Sequence, residues 1–132
     1  MANEARISGS LHINKGNLEY SSKPTAFTAD VTGTKGPTPG AIAVTAAGTD
    51  VNLSELATPG LCWLSNLDAT AYITYGIWDG VEFHPLGELL AGEFAPLRLS
   101  RTIGLGTGTG YENLRLKSSS GTINARVDCF EK

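Results

Sequence analysis

Residues 123–129, INARVDC, set Ile123, Ala125, Val127 and Cys129 in one phase and Asn124, Arg126 and Asp128 in the other. Successive side chains of an extended chain point to opposite faces, so a period of two means a strand with one face on a core and the other in water. The turn-forming cluster Ser118-Ser119-Ser120-Gly121 lies just upstream, and before it Leu114 and Leu116 alternate with Arg115 and Lys117. The two segments read as a hairpin.

Working outward, Arg6 to Ile13 repeats the pattern, with Ile7, Leu11 and Ile13 against Arg6, Ser8, Ser10 and His12, and reads as a half-buried strand. Leu61 to Leu67, Tyr72 to Trp78, Val81 to Leu90 and Glu93 to Leu99 are rich in aliphatic and aromatic residues. Asp68-Ala69-Thr70, Asp79-Gly80 and Ala91-Gly92 separate them, and Asp-Gly between such runs is a strong hairpin signal. The centre therefore reads as a meander. Pro85 and Pro96 cannot donate to a ladder, which puts each at an edge, a bulge or a strand start. Residues 32–50 read as a mobile surface loop with a brief strand at Ala41 to Val44, and Gly104 to Gly110 as a second flexible stretch. Asn52 to Leu56 has room for a single helical turn, and no window sustains a helical period with capping signals.

About nine or ten short strands, with turns every ten residues or so, define an all-β chain. Its expected form is one domain over residues 1–132, a β-sandwich or jelly roll of short antiparallel strands; a closed barrel is the other way to close such a set. With 132 residues the chain can bury a core without staples. Charged residues make up only 17% of it, so Gly, Ser, Thr and Asn must cover much of the surface, as suits a protein packed against other proteins. A net charge of −3 provides no field for a phosphate backbone, and nucleic acid is not an expected partner. No basic-then-apolar leader opens the sequence, and no apolar run approaches a membrane span, so neither export nor a membrane is expected.

The residue types that carry chemistry are present without the spacing chemistry needs. GLGTGTG at 104–110 lacks the G-x-G-x-x-G spacing, a following Lys-Ser or Lys-Thr pair and a helix behind it, and reads as a loop. His12 and His84 have no second ligand at metal spacing. Glu82, Glu88 and Glu93 sit beside turns and read as solvated rather than as an acid–base pair. No G-x-S-x-G occurs, and Cys62 has no basic neighbour to lower its pKa. Cys62 and Cys129 are expected as two buried reduced thiols. The expectation is thus no catalytic residue, no metal and no cofactor, hence not an enzyme. The aromatics Trp63, Tyr72, Tyr75, Trp78, Phe83 and Phe94 are expected mostly in the core. Tyr72 and Trp78, out of phase with Ile73 and Ile77, are candidates to face outward, and with Phe83 and His84 they form the candidate interface set.

From about Thr49 onward the sequence resembles a group of small bacteriophage virion proteins. The resemblance rests on an ordered series: Asp50-Val51-Asn52-Leu53-Ser54-Glu55-Leu56, Pro59-Gly60, Asn66-Leu67-Asp68, Tyr72, Gly76, Phe83-His84-Pro85-Leu86, Gly92-Glu93-Phe94, Leu97-Arg98-Leu99, and the closing strand Thr122 to Phe130. It covers about the last two thirds of the chain. Such proteins serve as head decoration (cement), neck or tail components. The resemblance implies a virion structural protein assembled in the bacterial host cytoplasm, and foremost a capsid decoration protein, a trimer seated between major capsid protein subunits. A neck or tail component and a carbohydrate-binding β-sandwich module are the other readings.

Overall fold

A computed structural model describes residues 3–106 and 112–132, and they divide into two compact units, the first ending at Thr32 and the second running from Gly33 to Lys132. The first unit is a two-stranded antiparallel ribbon. Strand β1 (Ala5–Ile7) pairs with β4 (Phe27–Ala29), and β2 (Leu11–Lys15) pairs with β3 (Leu18–Ser22). Its tip is the two-residue turn Gly16-Asn17, where Gly16 has a φ of +57°, a left-handed conformation that glycine adopts without steric cost.

The second unit holds eight strands: β5 (Thr38–Val44), β6 (Thr49–Asp50), β7 (Pro59–Asn66), β8 (Ile73–Trp78), β9 (Phe83–Leu89), β10 (Phe94–Arg98), β11 (Asn113–Ser118) and β12 (Ile123–Glu131). They form two four-stranded antiparallel sheets, in the orders β10-β7-β12-β5 and β6-β11-β8-β9. The fold is all-β, with the two sheets sharing one aliphatic core as in a β-sandwich. Ile123, Ala125, Val127 and Cys129 of β12, with Leu64 of β7 and Val44 of β5, meet Ile73 of β8, Leu89 of β9, and Leu114 and Leu116 of β11. The alternation read from INARVDC is the burial pattern of the strand.

Val51, Leu53 and Leu56 add three of the most deeply buried side chains although they lie in no strand. Their backbone is held by Val51 N–H to Leu114 O (2.9 Å), Leu53 N–H to Leu105 O (2.8 Å) and the single turn Leu56 N–H to Leu53 O (2.9 Å).

Several expectations need correction. β11 and β12 do not form a hairpin: β11 pairs with β6 and β8, whereas β12 pairs with β5 and β7. Both are amphipathic, and each buries its apolar face on the same core from opposite sheets, so the serine-rich turn crosses between layers. The centre is not a meander either. Only β8 and β9 join as neighbours, through the Asp79-Gly80 turn, while β7 and β10 pair in the other sheet. The short strand expected at Ala41 to Val44 runs from Thr38, in seven-residue register with β12.

Arg6 to Ile13 is not a half-buried strand but parts of β1 and β2, and β2 is exposed along its whole length. Of the six central aromatics only half-buried Tyr75 packs against the core; Trp63, Tyr72 and Phe94 are exposed, and Trp78 and Phe83 are half-buried outside it. Next to Trp63, Tyr72 and Trp78, the positions facing the core belong to the aliphatic neighbours Leu64, Ile73 and Ile77. Cys62 and Cys129, expected as separate thiols, form a disulfide. Separated by 67 positions in sequence, they are register partners on adjacent strands β7 and β12, with Cα atoms 4.1 Å apart.

Pro85 lies on edge strand β9, at the irregularity where Leu86 is left over between the pairs Gly76–Pro85 and Tyr75–Gly87, and Pro96 lies on edge strand β10. Pro39 sits on the third edge, β5. A missing N–H on an edge strand discourages pairing with a foreign strand. Within 104–110, Gly104 pairs with Asn113 and Gly106 N–H donates to Asn113 Oδ1 at 3.2 Å; residues 107–110 lie outside the described residues.

Candidate functional site

Surface chemistry on the first unit is concentrated on one side of its ribbon. Register pairs Leu11 with Ser22, Ile13 with Tyr20 and Lys15 with Leu18. Opposed residues in an antiparallel pair point the same way, so Leu11, Ile13, Leu18 and Tyr20 share one face and His12, Asn14, Glu19 and Ser21 the other. The apolar face is solvated, with Leu11 55%, Ile13 39%, Leu18 57% and Tyr20 49% exposed. A two-stranded ribbon by itself is marginal in water, and a contiguous exposed apolar face is unusual on one.

On the second unit, the candidate interface residues fall in three places. Trp78 and Phe83 are register partners on the outer face of the β6-β11-β8-β9 sheet. Arg115 of β11 lies over the Trp78 ring, 3.8 Å from its centroid, and its Nε donates to Asp50 Oδ1 at 2.5 Å; Lys117 stands 5.5 Å from the Phe83 centroid. One face of each ring is therefore engaged by a cation.

His84 is the register partner of Ile77, in the opposite phase to Phe83, and its Nε2 bonds Asp79 Oδ2 at 2.8 Å. Asp79 Oδ1 also accepts the Val81 and Glu82 N–H groups at 2.8 and 2.7 Å, closing the turn. These N–H donors, led by Glu82, together with His84 hold the Asp79 carboxyl well below the usual carboxylate range, and Asp79 in turn raises His84 above its ordinary value. Tyr72 precedes β8, where its N–H donates to Ser119 Oγ at 3.0 Å. Six residues of extended chain put it roughly 20 Å from Trp78. The structure thus brings Trp78 and Phe83 together, places His84 beside them on the other side of the strand, and leaves Tyr72 apart.

A further aromatic pair escaped the sequence reading. Trp63 of β7 and Phe94 of β10 stack with centroids 4.9 Å apart and planes 14° from parallel, and both are exposed on the outer face of the β10-β7-β12-β5 sheet. Asp128 is the register partner of Trp63 on β12 and accepts from Arg126 Nε at 2.9 Å. The signal was the buried phase Cys62, Leu64, Asn66, which turns Trp63 outward; both phases of this strand carry apolar residues, which hid it.

Among the described residues, no group of three or more His, Cys, Asp or Glu side chains is placed to hold a metal ion. No family model, curated protein or solved structure matches the chain.

Proposed function

We propose that this chain is a phage virion structural protein, a head decoration protein that attaches between major capsid protein subunits. The observation that carries this reading is the ribbon face of Leu11, Ile13, Leu18 and Tyr20, four large side chains held together and left in water. The resemblance of residues from Thr49 onward to small virion proteins supplies the kind of partner. Proline on three edge strands of the sandwich directs docking to side-chain faces rather than to strand addition.

Magnitude favours an oligomer. Covering the exposed halves of four such side chains contributes roughly 1 kcal/mol each, about 4 kcal/mol in all, which by itself corresponds to a dissociation constant of about 1 mM. One ribbon is too weak to hold a particle. Three in a cyclic trimer act at a high effective concentration and clamp several subunits together. A sugar-binding role fits Trp78 poorly, because Arg115 covers a ring face that a pyranose would need.

The test is to add the purified protein to expanded and unexpanded heads that lack it and to image the particles. Decoration of heads is expected, with attachment lost in a variant carrying Leu11→Ser, Ile13→Ser, Leu18→Ser and Tyr20→Ser. A protein found only in tails, or on no particle, overturns the proposal, and a hexamer on sizing turns it toward the neck or tail.

A further inference from the structure

The second unit carries a concavity of about 470 Å³ lined by Pro59, Gly60, Arg98, Leu99, Ser100, Arg101, Thr102 and Lys132. Three of the chain's ten Lys and Arg residues converge there, although its net charge is −3. Backbone bonds fix the walls. Leu99 N–H donates to Gly60 O at 2.9 Å, Lys132 N–H to Thr58 O at 2.8 Å, and Ile103 N–H to Ser100 O at 3.2 Å, so Arg101 sits within a closed turn. The Ser100 and Thr102 hydroxyls bond each other at 2.9 Å across that turn. Gly60 lets the end of β12 come close, since a Cβ there would lie 3.2 Å from the Lys132 Cβ.

The ion pairs His84–Asp79, Arg115–Asp50 and Arg126–Asp128 engage neither Arg98 nor Arg101. The neighbouring Glu131 carboxylate is committed to the Ala57 N–H at 2.8 Å. Partial desolvation, and then the charges of Arg101 and Arg98, lower the Lys132 ammonium below its ordinary value. Two guanidinium forks outside the ion pairs above, in a concavity also lined by Pro59, Gly60 and Leu99, match the planar, bidentate demand of a carboxylate.

We propose that this concavity is a docking site for an acidic segment of a partner protein, whose carboxylates Arg98 and Arg101 grip. Nucleic acid is disfavoured because a phosphate backbone needs a stripe of cations along its length, whereas these cations converge on one hollow of an otherwise acidic chain. The proposal is independent of the decoration reading, since it concerns binding of a peptide in solution.

The experiment titrates the full chain, at low salt and by heteronuclear NMR, with hexaglutamate, inorganic phosphate and a single-stranded DNA oligonucleotide. Hexaglutamate is expected to shift the amides of Gly60 and Ser100 to Thr102. Its affinity should fall about tenfold or more in the Arg98→Gln/Arg101→Gln variant, with Arg101→Gln alone as the second variant should the double one not fold. Three results overturn it: no shifts with hexaglutamate, as when the chain's own carboxylates fill the site; equal affinity in the variants; or phosphate or DNA binding as tightly as the peptide.

Discussion

The side-chain amide of Asn66, at the end of β7, donates to the main-chain carbonyl of Leu89, at the end of β9 in the opposite sheet, over 3.1 Å. The same nitrogen serves Ala71 O at 2.8 Å and Leu90 O at 3.1 Å, while Oδ1 accepts Asp68 N–H at 3.0 Å. One buried amide thus ties the β7–β8 connection to the β9–β10 turn. Replacing it with alanine strands buried carbonyls, at a cost of roughly 3 kcal/mol. Asn66→Ala should lower Tm by about 10 °C, and Asn66→Asp should lower it further, because a carboxylate would face three carbonyls. Thermal denaturation followed by circular dichroism checks the order.

Gly76 is buried opposite Pro85, where an added Cβ would strike the His84 carbonyl, a backbone atom that cannot step aside without breaking the β8–β9 register. Gly76→Ala should destabilise by at least about 3 kcal/mol. Urea unfolding at constant m-value is the measurement.

The Asp79–His84 pair makes stability depend on pH with a definite sign. Asp79 raises the His84 pKa, so that contribution is complete below the unfolded value of 6.5 and is lost as pH rises through the higher folded value. The Asp79 pKa is lowered, so its contribution is complete above the unfolded value of 3.8 and is lost as pH falls through the folded value. The pair contributes most between these two unfolded values. Asp79→Asn should return the NMR-titrated His84 pKa toward 6.5.

Cys62 and Cys129 should titrate as no free thiols in denaturant without reductant, and as two after reduction. On the chain-entropy account, closing a loop of this length stabilises by roughly 4 kcal/mol. The reduced protein should therefore melt at lower temperature; two thiols in the unreduced protein would contradict the pairing.

Much of the strand content was legible because it is local. The buried phase of β12, the Asp79-Gly80 hairpin and the edge positions of Pro85 and Pro96 each follow from a few neighbouring residues. The candidate interface was legible only in part. The phase of Tyr72 and Trp78 relative to Ile73 and Ile77 was plain, but that Arg115 would cover Trp78 depends on β11 lying beside β8, a pairing between residues far apart in sequence.

Alternation of side chains along each segment, read from the sequence by itself, determined that the chain is all-β and which face of β11 and β12 is apolar. Only the tertiary structure decided which strands pair, that Cys62 meets Cys129, that the ribbon face of Leu11, Ile13, Leu18 and Tyr20 stays in water, and that Arg98, Arg101 and Lys132 converge. The physical reason is that side-chain alternation is a property of one strand, whereas the choice of sheet for each strand is settled by non-local packing. An apolar phase states that a side chain seeks cover; it does not state whether its own core or another molecule provides it.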